Sequence, residues 1–419
     1  MREKIVIIGG GFAGLNVARQ LNNKKEYEVI VIDKANHHAF QPLFYQVASG
    51  RLEPSNISFP YRKVFQKSKN IQFRMTEVEQ ILPQENKIVT SDCDFYYDKL
   101  VIASGCKSNF YGNALMEKYS FGMKNTEEAV NIRNHVLMTF EKMILLKEES
   151  EPGDWNIVIV GGGPTGVELA GSFAEMRDHV LPRDYPKMDF SALKIILING
   201  GNKTLAAMSE NAQEKSELYL KEMGVTIMND TRVEGYDGKV ITLGDGTRIP
   251  STNVIWAAGV TGNIIPGLSE KSIERNRFLV DEYCKVEGYS NIYAVGDIAC
   301  MKSEEYPHGH PQLAGVANQQ GNLLGKNLLR KHISTWKKFN YLDKGTMATI
   351  GKYKAVVDLP FWKFSGYFAW YCWMFLHLML ILSVRNKLAI FMNWTWAFFN
   401  KDSSLRLIIV PRSYRKNIK

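Results

Sequence analysis

Isoleucine and valine fill positions 5 to 8, and the run then breaks into three consecutive glycines with a fourth at Gly14. A short β-branched stretch of this kind predicts a buried strand. The glycines predict a tight turn into a helix over Ala13–Leu21. A second apolar run, Tyr27–Ile32, predicts a strand that ends at Asp33. The same pattern returns about 150 residues later, the mark of a repeated supersecondary unit. Asn156–Ala170 again reads strand, glycines, helix, and Leu193–Ile198 is the strand that follows.

Between and after these units the apolar pattern predicts further elements. Ile71–Met75 and Lys87–Thr90 are strands of a β-meander inserted in the first unit, and Tyr97–Gly105 is a buried strand ending in small residues. Thr126–Glu149 reads as a long helix with Glu127 and Glu128 in its first turn, where the helix dipole favours acids. Val225–Met228, Val240–Leu243 and Thr252–Trp256 are strands, the last running into Ala257-Ala258-Gly259. Asn291–Ala299 is a strand whose end carries Gly296 and Asp297, and a helix lies within Pro311–Leu329. Residues 34–50 are too irregular for one element and rich in groups able to line a pocket.

The C-terminal pattern differs. Phe364–Val384 holds no Lys, Arg, Asp or Glu and is dense in Trp, Tyr and Phe; Leu388–Phe399 is a second apolar-aromatic run, with Arg385 and Lys387 between. By length the first run is a transmembrane candidate. Its aromatic content and basic flanks fit a helix lying in the membrane interface equally well. Ordinary buried core or a dimer interface is the bland alternative.

The glycine spacing gives the repeated unit its chemistry. In Gly9-x-Gly11-x-x-Gly14 the first glycine permits the turn, the second lets backbone approach a pyrophosphate, and the third lets the helix pack against the strand. The helix N-terminus then offers N–H groups to phosphates. Asp33, nineteen residues past Gly14, stands where a ribose hydroxyl needs an acceptor. Gly161, Gly163 and Gly166 repeat the spacing, but the expected acid is Asn199. Asn still accepts a hydrogen bond from a ribose hydroxyl, yet carries no charge to repel a 2′-phosphate, so NADPH is not excluded. Two dinucleotide sites in one chain suggest one resident and one mobile coenzyme.

The chain has 419 residues, enough for two or three domains, and a net charge of +9. Its basic runs, including Pro411–Lys419, point to an anionic membrane surface, since no nucleic-acid module is recognisable. Five cysteines without paired spacing argue against a disulfide scaffold and favour a reducing compartment. The first strand starts near Lys4, leaving no room for a cleaved N-terminal address. No metal is expected. His37 and His38 are adjacent and point differently, and His308 and His310 lack a third ligand nearby in sequence. Cys106 reads as an inert thiol.

The segments GGGFAGL (9–15), NHHAFQPLFYQVASG (36–50), LVIASG (100–105), GGGPTGVELAG (161–171), VIWAAGV (254–260) and IYAVGDIA (292–299), with the aromatic, basic C-terminus, resemble one family over nearly the whole chain. It is the type II NADH dehydrogenases, single-subunit flavin NADH:quinone oxidoreductases. The resemblance implies an α/β fold of two Rossmann-like dinucleotide-binding domains, glutathione-reductase-like, plus a C-terminal membrane-associating helical segment. Residues 1–115 would begin the FAD-binding domain, 116–275 would bind NAD(P)H, 276–335 would return to the FAD domain, and 336–419 would anchor to the membrane.

By the same resemblance the first motif holds FAD, with Asp33 on its adenosine ribose, Asp297 beside its ribityl and phosphate chain, and Gln41, Ser104 and Gly105 near it. The second motif, Asn199 and Gly259 bind NADH. Glu168, placed on the first turn of the second helix, lies near the nicotinamide and quinone; if it is buried beside an apolar pocket, its pKa should rise, which would suit proton handling. The bland reading is a carboxylate at the helix dipole. Tyr45, Gln46, Gln319 and Gln320 line the pocket around the isoalloxazine, and Ala314 and Gly315 the quinone pocket. The family usually reads Ala-Gln at that last pair, so Gly315 bears on the acceptor.

The implied activity passes a hydride from NADH to FAD and two electrons to a membrane quinone, without proton pumping, in a peripheral or monotopic protein on the cytoplasmic face, with homodimerisation through the C-terminal region. A sulfide:quinone oxidoreductase needs redox cysteines, and this chain has no convincing pair. A slow NADH-binding flavoprotein sensor or scaffold is the alternative from another class, kept open by Asn199 and Gly315.

Overall fold

A computed structural model describes residues 2–146, 151–400 and 405–409. The chain divides into two compact units: residues 1–39, 59–107 and 260–343 form the first, and residues 40–58, 108–259 and 344–419 the second.

The first unit is built on a parallel sheet ordered Ile292–Ala294, Lys99–Ile102, Glu3–Ile8, Tyr27–Asp33, Ile71–Met75. Ile8 pairs with both Ile32 and Ile102, so the strands end level and deliver Gly9, Asp33 and Ala103 to one edge. The central residues are almost wholly apolar and buried, as a sheet covered on both faces requires. Helix Phe12–Leu21 packs along helix Ala314–Leu328. Contact is close because Gly321 lacks a side chain: a Cβ there would collide with the Ala13 carbonyl. An antiparallel meander is present, but it consists of Val78–Leu82, Lys87–Thr90 and Phe95–Tyr96; Ile71–Met75, expected to belong to it, instead pairs in parallel with Tyr27–Asp33 as the edge of the main sheet.

The second unit repeats the plan with parallel strands Val225–Met228, Lys194–Ile198, Asn156–Val160 and Asn253–Trp256. Helix Pro164–Glu175 follows the central strand. Helix Thr126–Leu146 starts where expected, with its acids in the first turn; the last expected residues, 147–149, lie outside the described residues. An antiparallel sheet, Thr346–Thr349, Ala355–Asp358 and Lys363–Ser365, leads into two helices, Tyr367–Leu380 and Val384–Asn400.

Those helices correct the reading of Phe364–Val384 as a single spanning element. The first helix begins only after Gly366 (φ +90°) and ends at Ile381, which is extended. Ser383 starts the next by accepting the Asn386 amide at 3.0 Å. Fourteen residues rise about 21 Å, short of a hydrocarbon core of about 30 Å. Among the described residues no helix is long and apolar enough to cross a membrane. Residues 34–50 also resolve into pieces: strand His37–Ala39 in the first unit, then a turn at Gln41–Leu43 and helix Phe44–Ala48 in the second. The basic segment Pro411–Lys419 lies outside the described residues.

Candidate functional sites in the two units

In the first unit each motif glycine meets a different constraint. Gly9 has φ +95°, and a Cβ there would strike the Ala103 carbonyl; one on Gly14 would strike the Gly9 carbonyl. Gly11 is different: nothing lies within 4 Å of where its Cβ would be, so the backbone is bare to an incoming group. Helix Phe12–Leu21 has neither a side-chain cap nor an acid in its first turn, which leaves its N-terminus electropositive. Asp33 accepts from the Gly10 amide at 2.7 Å, the Ala35 amide at 2.8 Å and the Tyr61 hydroxyl at 3.3 Å. Burial raises its pKa, and those three bonds act against the rise. A carboxylate has about four acceptor positions, so one is left for a ribose hydroxyl. Tyr61 also occupies the space a side chain at position 10 would need, which accounts for the middle glycine.

Other expected residues of this unit have protein partners. Ser104 donates to the Asn263 carbonyl at 2.8 Å, and Gly105 (φ +68°) faces open space. Asp297 accepts from the Cys106 thiol at 2.9 Å, and its carbonyl accepts from Gln312 at 2.9 Å. Gln320 is buried; its carbonyl accepts from Gly296 N at 2.8 Å while its Nε2 finds no partner, a buried donor of the kind a bound ligand satisfies. Gln319 clamps the backbone of Leu342 with both halves of its amide, at 2.9 and 3.0 Å. Ala314 and Gly315 open the helix, where a Cβ on Gly315 would meet the Tyr341 hydroxyl at 3.4 Å. An uncapped helix end, a bare Gly11, the Asp33 acceptor and the Gln320 donor together fit a dinucleotide flavin.

The second unit carries a cleft of about 780 Å³ lined by Gly161, Gly162, Gly163, Asn199, Arg232 and Gly259 among others. The glycine pattern repeats atom for atom: Gly161 (φ +121°) meets Ala257, Gly166 meets the Gly161 carbonyl, and Gly163 faces open space. The helix it opens is again uncapped. The amide nitrogen of Asn199 donates at 3.0 Å to the carbonyls of Gly201 and Lys203 and to Asn229 Oδ1.

Glu168 is the fifth residue of helix Pro164–Glu175, so it lies on the second turn, not the first. The motif's last-but-one glycine, Gly163, is the N-cap, which moves Glu168 away from the helix end. The side chain is buried, and burial pushes its pKa up to about 8, resisted only by the Thr349 amide at 3.4 Å. That environment displaces the dipole-bound carboxylate reading. Thr349 extends the network: its Oγ1 lies 2.9 Å from the Tyr45 hydroxyl, which accepts from Gln46 Nε2 at 2.9 Å, while Gln46 Oε1 accepts from Trp394 Nε1 at 2.8 Å. The neighbouring cavity, lined by Tyr45, Gln46, Arg51, Thr349, Trp373 and Trp394, holds about 40 Å³ and admits a water. Arg51 pairs with Glu175, which also accepts from the Lys352 amide. Gln41 is exposed at the start of its turn.

Thr349 and Trp394 belong to this network but carry no motif in sequence, and neither does Tyr61, which donates to Asp33 in the first unit. His38 is a packed neutral side chain, its pKa lowered by burial to about 4, bonded to the Gly10 carbonyl at 3.1 Å. All five cysteines are free thiols.

Residues 3–321 match the family described as pyridine nucleotide-disulphide oxidoreductase, and residues 344–401 match the NDH2 C-terminal domain. The chain is 30% identical over 424 residues to the type II NADH:quinone oxidoreductase Ndh of Mycobacterium tuberculosis, covering 95% of this chain and 89% of that protein. In structure it is similar to NDH2 from Plasmodium falciparum in complex with NADH, with a TM-score of 0.88 at 21% identity, covering 98% of this chain and 100% of the other. The sulfide:quinone oxidoreductase of Aquifex aeolicus shares the fold at a TM-score of 0.72 and 19% identity, covering 98% and 96%.

Proposed function

The chain belongs to the type II NADH:quinone oxidoreductases, within the pyridine nucleotide-disulphide oxidoreductases, and we propose that it carries electrons from NADH through a resident FAD to a membrane quinone without pumping protons. It is an oxidoreductase that binds flavin and NADH and reduces quinone. The observation that carries the finer reading is the pair of bare glycines, Gly11 and Gly163, each at an uncapped helix start in its own unit. One cradle serves a resident dinucleotide and the other a coenzyme that exchanges.

FAD, when bound, supplies the hydride acceptor and the two-electron donor to quinone. The protein's own part is positional and protonic. Gly9, Gly11 and Gly14 set the turn for the pyrophosphate, Asp33 takes the adenosine ribose, and Gln320 Nε2 gains the partner it lacks. Gly161, Gly163, Gly166 and Gly259 shape the coenzyme cleft. Glu168 holds a proton near neutral pH for the quinone half-reaction, with Thr349 and Tyr45 fixing its surroundings. Ala314 and Gly315 border the quinone. A sulfide-oxidising enzyme is disfavoured, because it needs a redox pair of cysteines and the five here show no paired spacing; Cys106, the thiol nearest the small-residue strand end, donates to Asp297.

Phe361, Trp362, Phe368, Phe375, Trp396 and Phe399 are exposed on and before the C-terminal helices. An apolar patch of this kind on a basic chain suits peripheral attachment to an anionic membrane on the cytoplasmic face, where the quinone is reached. A second copy of the chain on the same helices is the other reading. The enzymatic reading is tested by rapid mixing: NADH should bleach the extracted flavin, a lipophilic quinone should restore it, and the released cofactor should be FAD. Bleaching with no reoxidation by any quinone would point to a sensor.

A further inference from the structure

The cleft of the second unit has a neutral side chain, Asn199, at the end of its second strand and Arg232 in its lining. In dinucleotide folds an acid at the end of the second strand accepts from the ribose 2′-hydroxyl and repels a phosphate there, whereas a nearby arginine accommodates that phosphate. The strand Lys194–Ile198 ends at Asn199, which is neutral. Among the described residues lining the cleft, Arg232 alone carries a charge, and its Cγ lies 3.9 Å from where a side chain on Gly200, the next residue after Asn199, would begin. Arg232 is exposed, on the segment that follows strand Val225–Met228.

A carboxylate is present, but set back. Glu217, buried on helix Glu210–Glu222, accepts from Asn229 Nδ2 at 2.8 Å and from Thr204 N at 3.2 Å, with Lys221 at 3.7 Å. Asn229 in turn accepts from Asn199 at 3.0 Å. Two amides therefore stand between the negative charge and the mouth of the cleft. Asp230 gives its amide to the Gly201 carbonyl, and its side chain does not line the cleft.

We propose that this cleft accepts 2′-phosphorylated nicotinamide coenzyme as well as NADH, with Arg232 as the residue that holds the phosphate. The inference rests on the reading of the cleft as the coenzyme site. Full-length, flavin-loaded protein is titrated with NAD+ and NADP+ by calorimetry at low and moderate salt. NADP+ should bind within tenfold of NAD+, with the steeper salt dependence. Arg232→Ala should weaken NADP+ at least tenfold more than NAD+, Arg232→Lys should recover part of that loss, and Asn199→Glu should also act mainly against NADP+. NADP+ more than tenfold weaker than NAD+ in the unaltered protein overturns the inference while the coenzyme cleft stands. So does an Arg232→Ala loss that is equal for both ligands. If neither ligand binds, the coenzyme-site reading falls and the inference with it.

Discussion

The Tyr45 hydroxyl lies 2.9 Å from Thr349 Oγ1, and the amide of that same threonine is what faces Glu168, at 3.4 Å. Gln46 Nε2 also donates to the tyrosine oxygen, so the phenol is held from two sides. A single threonine therefore joins the carboxyl group to a buried polar chain ending at Trp394. Glu168→Gln keeps the shape and removes the proton. It should slow quinone reduction at least tenfold while altering flavin reduction by NADH much less. The pH profile of the quinone half-reaction should lose an apparent pKa near 8, the value to which burial raises this carboxyl. Equal slowing of both half-reactions would assign Glu168 to nicotinamide binding instead.

The same carboxyl makes stability depend on pH. Its folded pKa, about 8, lies above its ordinary value of 4.5. Between those two values the folded state holds a proton that the unfolded chain has lost, so stability is full below 4.5, falls as pH rises, and levels off above 8. The slope from this one group is about 1.4 kcal/mol per pH unit. Denaturant titrations of the native protein and Glu168→Gln should differ by that slope from pH 5 to 8; parallel curves would mean that Glu168 is solvated.

Tyr45→Phe leaves Gln46 Nε2 and Thr349 Oγ1 without the hydroxyl between them, in a site from which water is largely excluded. Stranded buried polar groups cost about 1–3 kcal/mol. A fall in thermal midpoint of several degrees should follow, with flavin content unchanged; a midpoint equal to that of the unaltered protein would mean a water replaces the phenol in the adjoining cavity.

What the sequence made legible was local. β-branched runs, glycine spacing and the acid after the second strand depend on residues within about thirty positions, and Ile71–Met75 and Lys87–Thr90 are strands as expected, though the pattern could not say that they belong to different sheets. Thr349 was invisible because it meets Glu168 across 181 positions and belongs to no motif. Glu168 was set one turn too early, since the helix is counted from Gly163 and not from the strand. The apolar run Phe364–Val384 read as one element because hydropathy cannot register Ser383, whose hydroxyl caps a new helix. Gln319, expected at a pocket wall, holds Leu342 with both of its amide groups, a bond between backbone and side chain that composition does not announce.

Two glycines of one motif should fail in different ways. A Cβ on Gly14 collides with the Gly9 carbonyl, so Gly14→Ala must push helix from strand and should sharply reduce the yield of folded protein. A Cβ on Gly11 meets no protein atom. Gly11→Ala should therefore fold, with an unchanged circular dichroism spectrum, yet lose most of its flavin because the methyl group stands where the pyrophosphate approaches. Full flavin occupancy in Gly11→Ala would move the cofactor away from this turn.

The exposed C-terminal aromatics separate membrane docking from self-association. Phe361 is fully exposed, and Phe375 and Phe399 are about as open to solvent as each other at 66% and 75%. Each fully buried aromatic contributes roughly 1.5–3 kcal/mol on leaving water, so replacing Phe361, Phe375 and Phe399 together by serine should weaken association with anionic vesicles by at least a hundredfold. Trp373 is buried, with its ring centroid 4.1 Å from that of His377, and Trp394 donates to Gln46, so these two are left in place. Activity with a short, water-soluble quinone should persist in the triple variant, while activity with a long-chain quinone in vesicles should fall with binding. If the variant still floats with vesicles but changes from dimer to monomer in sedimentation, the aromatic face is a contact between copies of the chain.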